Sequence, residues 1–470
     1  MKIKPKYWYC LLPLLLWIVA YFGFSFDGLY GQDAYEYLRY TAALRTFLES
    51  RTPPGDYFWG VYYPILGSLL SFVLPSSTLS LQLISVGSLL LSGLYLKKII
   101  QRVYKQKNGT VVPLLFFILS PIVLVHSILV MSDMLACCLT ILAVYHLLYF
   151  IEKVDSKRFL FGSIFVALAV LTRYASIVVL FPFCVMAFYQ LLLHRKFKTL
   201  IISILIVGLA SLPHLAIRSQ NSLQFLSHQW LQSWSFTNLF QSHFITIDGE
   251  IQYPVINMIY SLFPFFHPVF LVFGLFLFGY FIKKRTFWLS NYQKLFLVSI
   301  VMYGLFLGGI PFQNKRFLLL CFPLVIVFLF PLIKQLMTQF KNKKTVVGCI
   351  IIIQISIGFY YAKPFYQRNK LEQTIAKELK PFQGNTLYAF DIDIALKGRK
   401  LDFNYKSLWK EKLQQFDKNA LLLVNEKQLQ KQWQGKNPLH NWETLQKQYK
   451  LEKINAFEGD FNLYRIGNKK

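Results

Sequence analysis

Eleven apolar runs, each near the length that crosses a bilayer, dominate the first 361 residues of this chain. They lie at 7–26, 78–96, 111–131, 134–151, 159–173, 174–193, 199–217, 261–282, 292–310, 317–334 and 345–361. A helix needs about 20 apolar residues to span the hydrocarbon core. In lipid every backbone N–H and C=O must be bonded within the protein, which leaves helices or closed barrels. Uninterrupted apolar runs, rather than alternating ones, select helices. Only 15% of the residues are charged and 55% are hydrophobic, against about 25% charged in a soluble domain. The expected fold class is a multi-pass α-helical membrane protein with about 11 transmembrane helices.

Residues 159–193 are many for one straight span and few for two, with Arg173 in their middle. The distribution of Lys and Arg decides between these readings, because cytoplasmic loops carry an excess of both. With the N-terminus cytoplasmic, the inner segments are the amino-terminal tail, "KKIIQRVYKQK", "EKVDSKR", "HRKFK", "KKRTFWLSNYQK" and "KQLMTQFKNKK". They hold 22 Lys and Arg, whereas the opposite side holds seven: Arg39, Arg45, Arg51, Arg173, Arg218, Lys315 and Arg316. A single span at 159–193 would send the later basic loops outside, so a hairpin of two spans is expected. The first run follows Lys2, Lys4 and Lys6 as a signal peptide does. It lacks a small-x-small cleavage pattern near Asp27 and is expected to remain as an anchor.

Residues 362–470 have a different character, with 21 Lys and Arg against 12 Asp and Glu. A helix-like "LEQTIAKELK" precedes a strand-like "NTLYAF". The buried-strand pattern "ALLLV" leads into "NEKQLQKQW", and "YKLEKINAF" and "FNLYRI" close the chain. Strands alternating with helical patterns predict a small C-terminal α/β domain. The expected division is 1–361, with long loops at 27–77 and 218–260, and 362–470. An odd number of spans puts the tail outside. All six cysteines (Cys10, Cys137, Cys138, Cys184, Cys321, Cys349) fall within apolar runs, so no disulfide framework is implied. The expected location is a bacterial inner membrane, with a periplasmic C-terminal domain.

The formal charge of +28 is thus topology plus tail. No groove of interleaved basic and aromatic residues points to nucleic acid. The tail's net charge suits anionic lipid headgroups as well as it suits an ordinary lysine-rich surface. No repeat of solenoid length and no inverted repeat is evident.

The loop 27–77 opens with "GQDAYEYLRYTAAL". From Asp33 a stripe of Tyr37, Tyr40, Leu44, Phe47 and Leu48 recurs at spacings of three and four, the pattern of an amphipathic helix on the membrane surface. The breaker "RTPPGD" follows, then "VYYPILGSLLSFVLP", short for a span and expected as a surface or re-entrant helix. The loop 218–260 carries His228, Trp230, Trp234, His243, Asp248 and Glu250, with the tryptophans as interfacial anchors.

The ionisable groups on this outer rim form a short set: Asp33 and Glu36, Asp133 in "MSDM", Arg173 in "LTRYAS", and Lys315 with Arg316 in "PFQNKRF". Each alone reads as a loop charge. Asp133 is the exception, because a three-residue turn between apolar runs keeps it from bulk water, and such charges are functional candidates. Carboxylates and cations on one rim suit attack by a hydroxyl on a sugar joined to a lipid phosphate. A carboxylate removes the hydroxyl proton, while cations stabilise charge on the departing phosphate. Arginine suits that task through its bidentate fork.

These segments resemble the GT-C-fold integral membrane glycosyltransferases, the group that includes protein O-mannosyltransferases and bacterial lipid A sugar transferases. The matching pieces are "QDAYEYLRYTAALRTF", "YYPILGSLLS", "MSDMLA", "LTRYASIVVLFP" and "NKRFLLLCFPLVIVF", which cover the membrane part to about residue 361. The resemblance implies transfer from a polyprenyl-phosphate-linked sugar donor to a lipid, glycan or protein acceptor. It makes Asp33 the catalytic base and Asp133 a second acid shaping the site. Arg173, Lys315 and Arg316 become donor-phosphate ligands. Many relatives have adjacent acids where this chain has Asp33-Ala34; Glu36, on the same helical flank, can substitute or be a solvated neighbour. The histidines do not cluster at ligand spacing, so no metal or other cofactor is expected. The tail resembles the small outer α/β domain of some bacterial members.

Three other readings compete. A lipid-linked glycan flippase or transporter would place charges near the midplane of broken helices, whereas here His126, His146 and His267 are the main polar exceptions within the runs. A polysaccharide polymerase or ligase would carry an Arg-rich outer loop, but 218–260 holds only Arg218. A non-enzymatic scaffold leaves Asp33, Asp133 and Arg316 unexplained.

Overall fold

The structure, a computed structural model, describes residues 11–106, 109–218, 227–246, 249–284 and 290–470. Lys2, Lys4, Lys6, Cys10 and Asp248 lie outside the described residues, as do residues 285–289 of the break "KKRTFWLSNYQK" and residues 219–226 of the loop 218–260.

Helices occupy the predicted apolar runs. Among the described residues five are long and apolar enough to cross a membrane: Ser77–Val103, Asp133–Lys153, Ser176–Leu193, Phe197–Ile217 and Lys343–Phe382. A further apolar pair, Val111–Ile118 and Pro121–Ile128, is bent by 55°, the shape of a broken span or of a re-entrant loop. Proline accounts for that bend, since Pro121 lacks an N–H and is tolerated only at a helix start. The run 261–282 is likewise divided, into Asn257–Ser261, Phe263–Phe266 and Gly274–Lys284. Its break falls at His267, which is extended (φ −75°, ψ 133°), as a residue preceding Pro268 prefers. The run 159–193 forms two helices, Ser156–Thr172 and Ser176–Leu193. Between them Arg173 is extended at φ −151° and ψ 109°.

The chain divides into two compact units. The first comprises Met1–Gly28, Tyr40–Gln241 and Val255–Lys363. At its centre the helix Asp133–Lys153 is buried along nearly its whole length. The helix Phe197–Ile217 instead exposes Ile201, Leu205, Leu209 and Leu212. Such a continuous apolar face is stable against lipid rather than water. Gly28 shows why a glycine is needed in this unit: its φ is +77°, and an added Cβ would lie 2.7 Å from the Ile128 carbonyl oxygen.

The second unit comprises Leu29–Arg39, Ser242–Pro254 and Pro364–Lys470. Its antiparallel hairpin joins β1 (His243–Thr246) to β2 (Gly249–Gln252). The five-stranded sheet consists of β3 (Thr386–Ala389), β4 (Asn404–Ser407), β5 (Leu421–Asn425), β6 (Tyr449–Ala456) and β7 (Phe461–Lys469), in the order β4-β3-β5-β7-β6. β3 is parallel to β4 and β5, while β7 is antiparallel to β5 and β6. β5 is the central strand, and its uninterrupted "LLLV" is buried throughout, as a strand covered on both faces requires. Asn425 then caps the next helix by accepting from the Gln428 N–H at 3.1 Å. Trp442, Leu445 and Ile466 complete the core with Leu422 and Val424.

Candidate functional site

Three of the predicted site residues come together in the first unit. Asp133 begins the helix Asp133–Lys153, and Arg173 follows the end of Ser156–Thr172. A carboxylate at a helix N-terminus and a guanidinium at a C-terminus each complement the local dipole. Here the two also pair directly, Arg173 Nη1 with Asp133 Oδ1, with side chains 16% and 3% exposed. A buried carboxylate of this kind is tolerable only with such a partner.

Arg316 joins them through an aromatic ring. The guanidinium carbon of Arg173 lies 4.9 Å from the Phe317 ring centre, and that of Arg316 lies 5.4 Å from it. Both are within the range of attraction by a ring face. Arg316 Nη1 also lies 3.3 Å from Met131 Sδ, two residues before Asp133. His126, buried in the bent pair, is within electrostatic reach of both arginines.

The segment that presents Lys315 and Arg316 is held along its whole length. Asn314 Oδ1 accepts from the Arg316 N–H at 3.2 Å. The Tyr260 hydroxyl donates to the Asn314 carbonyl at 2.7 Å, and the Tyr303 hydroxyl to that of Phe317 at 2.8 Å. Gln313 Nε2 donates to Asn257 Oδ1 at 2.9 Å, while Asn257 Nδ2 donates to the Gly308 and Ile310 carbonyls at 3.0 and 2.7 Å. Trp230 stacks on Phe312 at 4.2 Å. These bonds fix the backbone from which the two cations project. Partial burial pulls the Lys315 ammonium below its ordinary pKa, so a neighbouring anion would favour its charged form.

Asp33 and Glu36 belong to the second unit, on the opening turns of the helix Gly31–Ser50. Glu36 is tied to Arg39, which donates to it from Nε at 2.9 Å and from Nη2 at 2.7 Å. Ala34, Tyr35 and Tyr37 are buried beside them. The predicted stripe continues inward through Tyr40 and Leu44, whereas Leu48 is exposed. Among the described residues, no three His, Cys, Asp or Glu side chains gather where a metal ion could be held.

A family model, dolichyl-phosphate-mannose-protein mannosyltransferase, matches residues 63–217, which include Asp133 and Arg173. ArnT from Cupriavidus metallidurans bound to undecaprenyl phosphate is similar in structure, with a TM-score of 0.57 and 12% identity. That match covers 97% of this chain and 97% of ArnT. The apo state of the same protein matches with a TM-score of 0.57 and 9% identity, over 98% of both chains. The chain has the GT-C fold of integral membrane glycosyltransferases. No curated protein matches it in sequence. This GT-C protein is therefore a multi-pass helical membrane protein with a C-terminal sheet domain.

Residue type and spacing alone did not single out part of the site. Arg218, counted only as a loop charge, is 3% exposed. Its Nη1 donates to the Phe58 carbonyl and lies 3.3 Å from the Tyr174 hydroxyl. Tyr174 in turn donates to the Trp59 carbonyl at 3.4 Å. Together they fasten residues 58–59 beside the residue that follows Arg173. The available signal was a lone arginine ending a long apolar run, where an unpaired charge is costly.

Proposed function

We propose that this GT-C protein transfers a sugar from a polyprenyl-phosphate donor to a hydroxyl acceptor on the outer face of the membrane. In this reading Asp33 takes the acceptor's proton, and the freed oxygen attacks the anomeric carbon. The bond from that carbon to the phosphate oxygen breaks, and its electron pair leaves with the phosphate, inverting the centre. Arg316 and Lys315 hold the donor phosphate and stabilise the charge it gains. Asp133 holds Arg173 in place, so that Arg173 adds positive potential without swinging free.

The observation that carries this reading is the convergence of Arg173 and Arg316 on Phe317, with Asp133 paired to Arg173. With Lys315 the set holds one carboxylate and three cations, an excess that suits a phosphate. Undecaprenyl phosphate in the similar ArnT structure adds support for the class of donor. In this proposal residues 1–361 form the membrane-embedded catalytic part and residues 362–470 an outer α/β domain, with the N-terminus cytoplasmic.

The test compares, by mass spectrometry, the glycolipids and glycoproteins of cells with and without the gene. Loss of one sugar from a defined acceptor is expected, and it would name donor and acceptor together. An unchanged glycan inventory with altered sidedness of a lipid-linked sugar would replace transfer with transport.

A further inference from the structure

The helical turn that carries Asp33 is gripped by the tail within the second unit. The Tyr35 hydroxyl donates to Glu372 Oε2 at 2.5 Å. Glu372 is 1% exposed, and its other oxygen accepts from Arg368 Nε at 2.7 Å. Arg368 extends the network to Asp391 at 3.1 Å, and Arg399 Nη2 lies 3.9 Å from Glu372. The Tyr35 ring is walled by Gly398, where an added Cβ would come within 2.3 Å of ring Cδ1. A second tether sits at the start of the turn, where Asn369 Nδ2 donates to the Leu29 carbonyl at 2.8 Å. A third is the Tyr30 ring, 4.5 Å from that of Phe365.

We propose that the tail positions the catalytic base: Tyr35 and Glu372 are positioning residues that fix the orientation of Asp33. This inference rests on the transferase reading, with Asp33 as base. Residues two apart on a helix point about 160° from each other, given 3.6 residues per turn. Anchoring Tyr35 into the tail therefore turns the Asp33 side of the same helical turn away from it. A Tyr–Glu–Arg–Asp network with Glu372 buried at its centre is a costly way to hold two elements together, since an apolar contact would do so without desolvating that carboxylate. Its advantage is directional: each bond has one satisfied geometry, so the turn has one register. A displacement of about 1 Å at a reacting group can cost about 100-fold in rate.

The test uses the full-length protein with a polyprenyl-phosphate sugar as donor, and variants Tyr35→Phe, Glu372→Gln and the pair. Each single change is expected to lower kcat about 10- to 100-fold while KM for the donor stays within about twofold, since no proposed phosphate ligand is touched. The double variant should be no worse than the worse single one, as for residues acting as one unit. Hydrogen exchange of residues 29–39 should rise in all three. Unchanged exchange in both single variants overturns the grip, whatever the activity. Raised exchange with parental kcat overturns the positioning role and leaves a purely structural contact. Failure of the transferase reading shows separately, as a parental protein that moves no sugar.

Discussion

Two carboxylate–arginine pairs in this chain have the same chemistry in opposite settings. Asp133 and Arg173 pair with side chains 3% and 16% exposed. Glu36 and Arg39 pair with side chains 21% and 46% exposed. In water a pair like the second contributes about 0–1 kcal/mol, because solvent screens it and two long side chains lose freedom. In the first, removing one partner strands a buried charge and costs about 3–5 kcal/mol. The difference teaches that pairing does not mark function. Burial decides how binding a pair is, since it makes one arrangement obligatory and leaves the other exchangeable.

The largest effect belongs to Asp33, three residues before the exposed pair. Asp33→Asn keeps the shape of the side chain but cannot take a proton. Transfer should fall about 10²- to 10⁴-fold, the range for losing a general base, with expression and thermal unfolding in detergent unchanged. If the loss follows Glu36→Gln instead, the base is Glu36 and its pair with Arg39 is more than a surface contact. Parental turnover in purified Asp33→Asn protein would remove the base assignment altogether.

The buried pair gives the next effect. Asp133→Asn should destabilise the protein by about 3 kcal/mol or more, by stranding Arg173. The double variant Asp133→Asn with Arg173→Gln should recover much of that stability without recovering activity. Thermal unfolding and transfer assays on the same preparations separate the two. A single variant as stable as the parent would break the contrast between buried and exposed pairs.

These two acids also show what could be read before any coordinates. Asp133 stood out because a three-residue turn between apolar runs leaves it nowhere to go, and burial follows from that constraint. Its pairing with Arg173 was not read, because Arg173, interrupting a 35-residue apolar stretch, was assigned to the donor phosphate and no local pattern links the two positions. The helices and the strand "ALLLV" were legible for similar reasons, because local pattern dictates them, whereas the breaks at Pro121 and Pro268 within the runs 111–131 and 261–282 were not read. The grouping of residues 29–39 and 242–254 with the tail was not. It depends on contacts such as Tyr35 with Glu372, 337 positions apart, and no local periodicity encodes a pairing of that range. Phe317 was hidden for another reason. One phenylalanine among the chain's 45 carries no mark of the two guanidinium groups that converge on it.

Arg316 should matter less than Asp133 for stability and more than either acid for donor affinity. Loss of a charge-assisted hydrogen bond costs about 1.5–3 kcal/mol, so Arg316→Ala should weaken donor binding about 10- to 100-fold. Titration with a polyprenyl-phosphate sugar reads this directly. Arg316→Lys should recover only part of it, because an ammonium keeps the charge and loses the planar fork. If lysine restores affinity fully, the phosphate responds to charge alone, and Lys315 and Arg316 are equivalent.

The smallest effect is expected at the exposed pair itself, and it sharpens the comparison most. Arg39→Ala removes two hydrogen bonds to Glu36, as many contacts as some buried pairs make, yet it should shift stability by less than about 1 kcal/mol. What shift there is should shrink further in high salt, since exposed charges are screened within about 3 Å at 1 M. The loss at Asp133→Asn should resist the same salt, because its charge is shielded from solvent ions. Unfolding both variants at low and high salt therefore tests burial as the deciding variable. Equal salt sensitivity in the two would mean that solvent reaches Asp133, and the case for an enclosed phosphate-binding corner around Phe317 would fail with it.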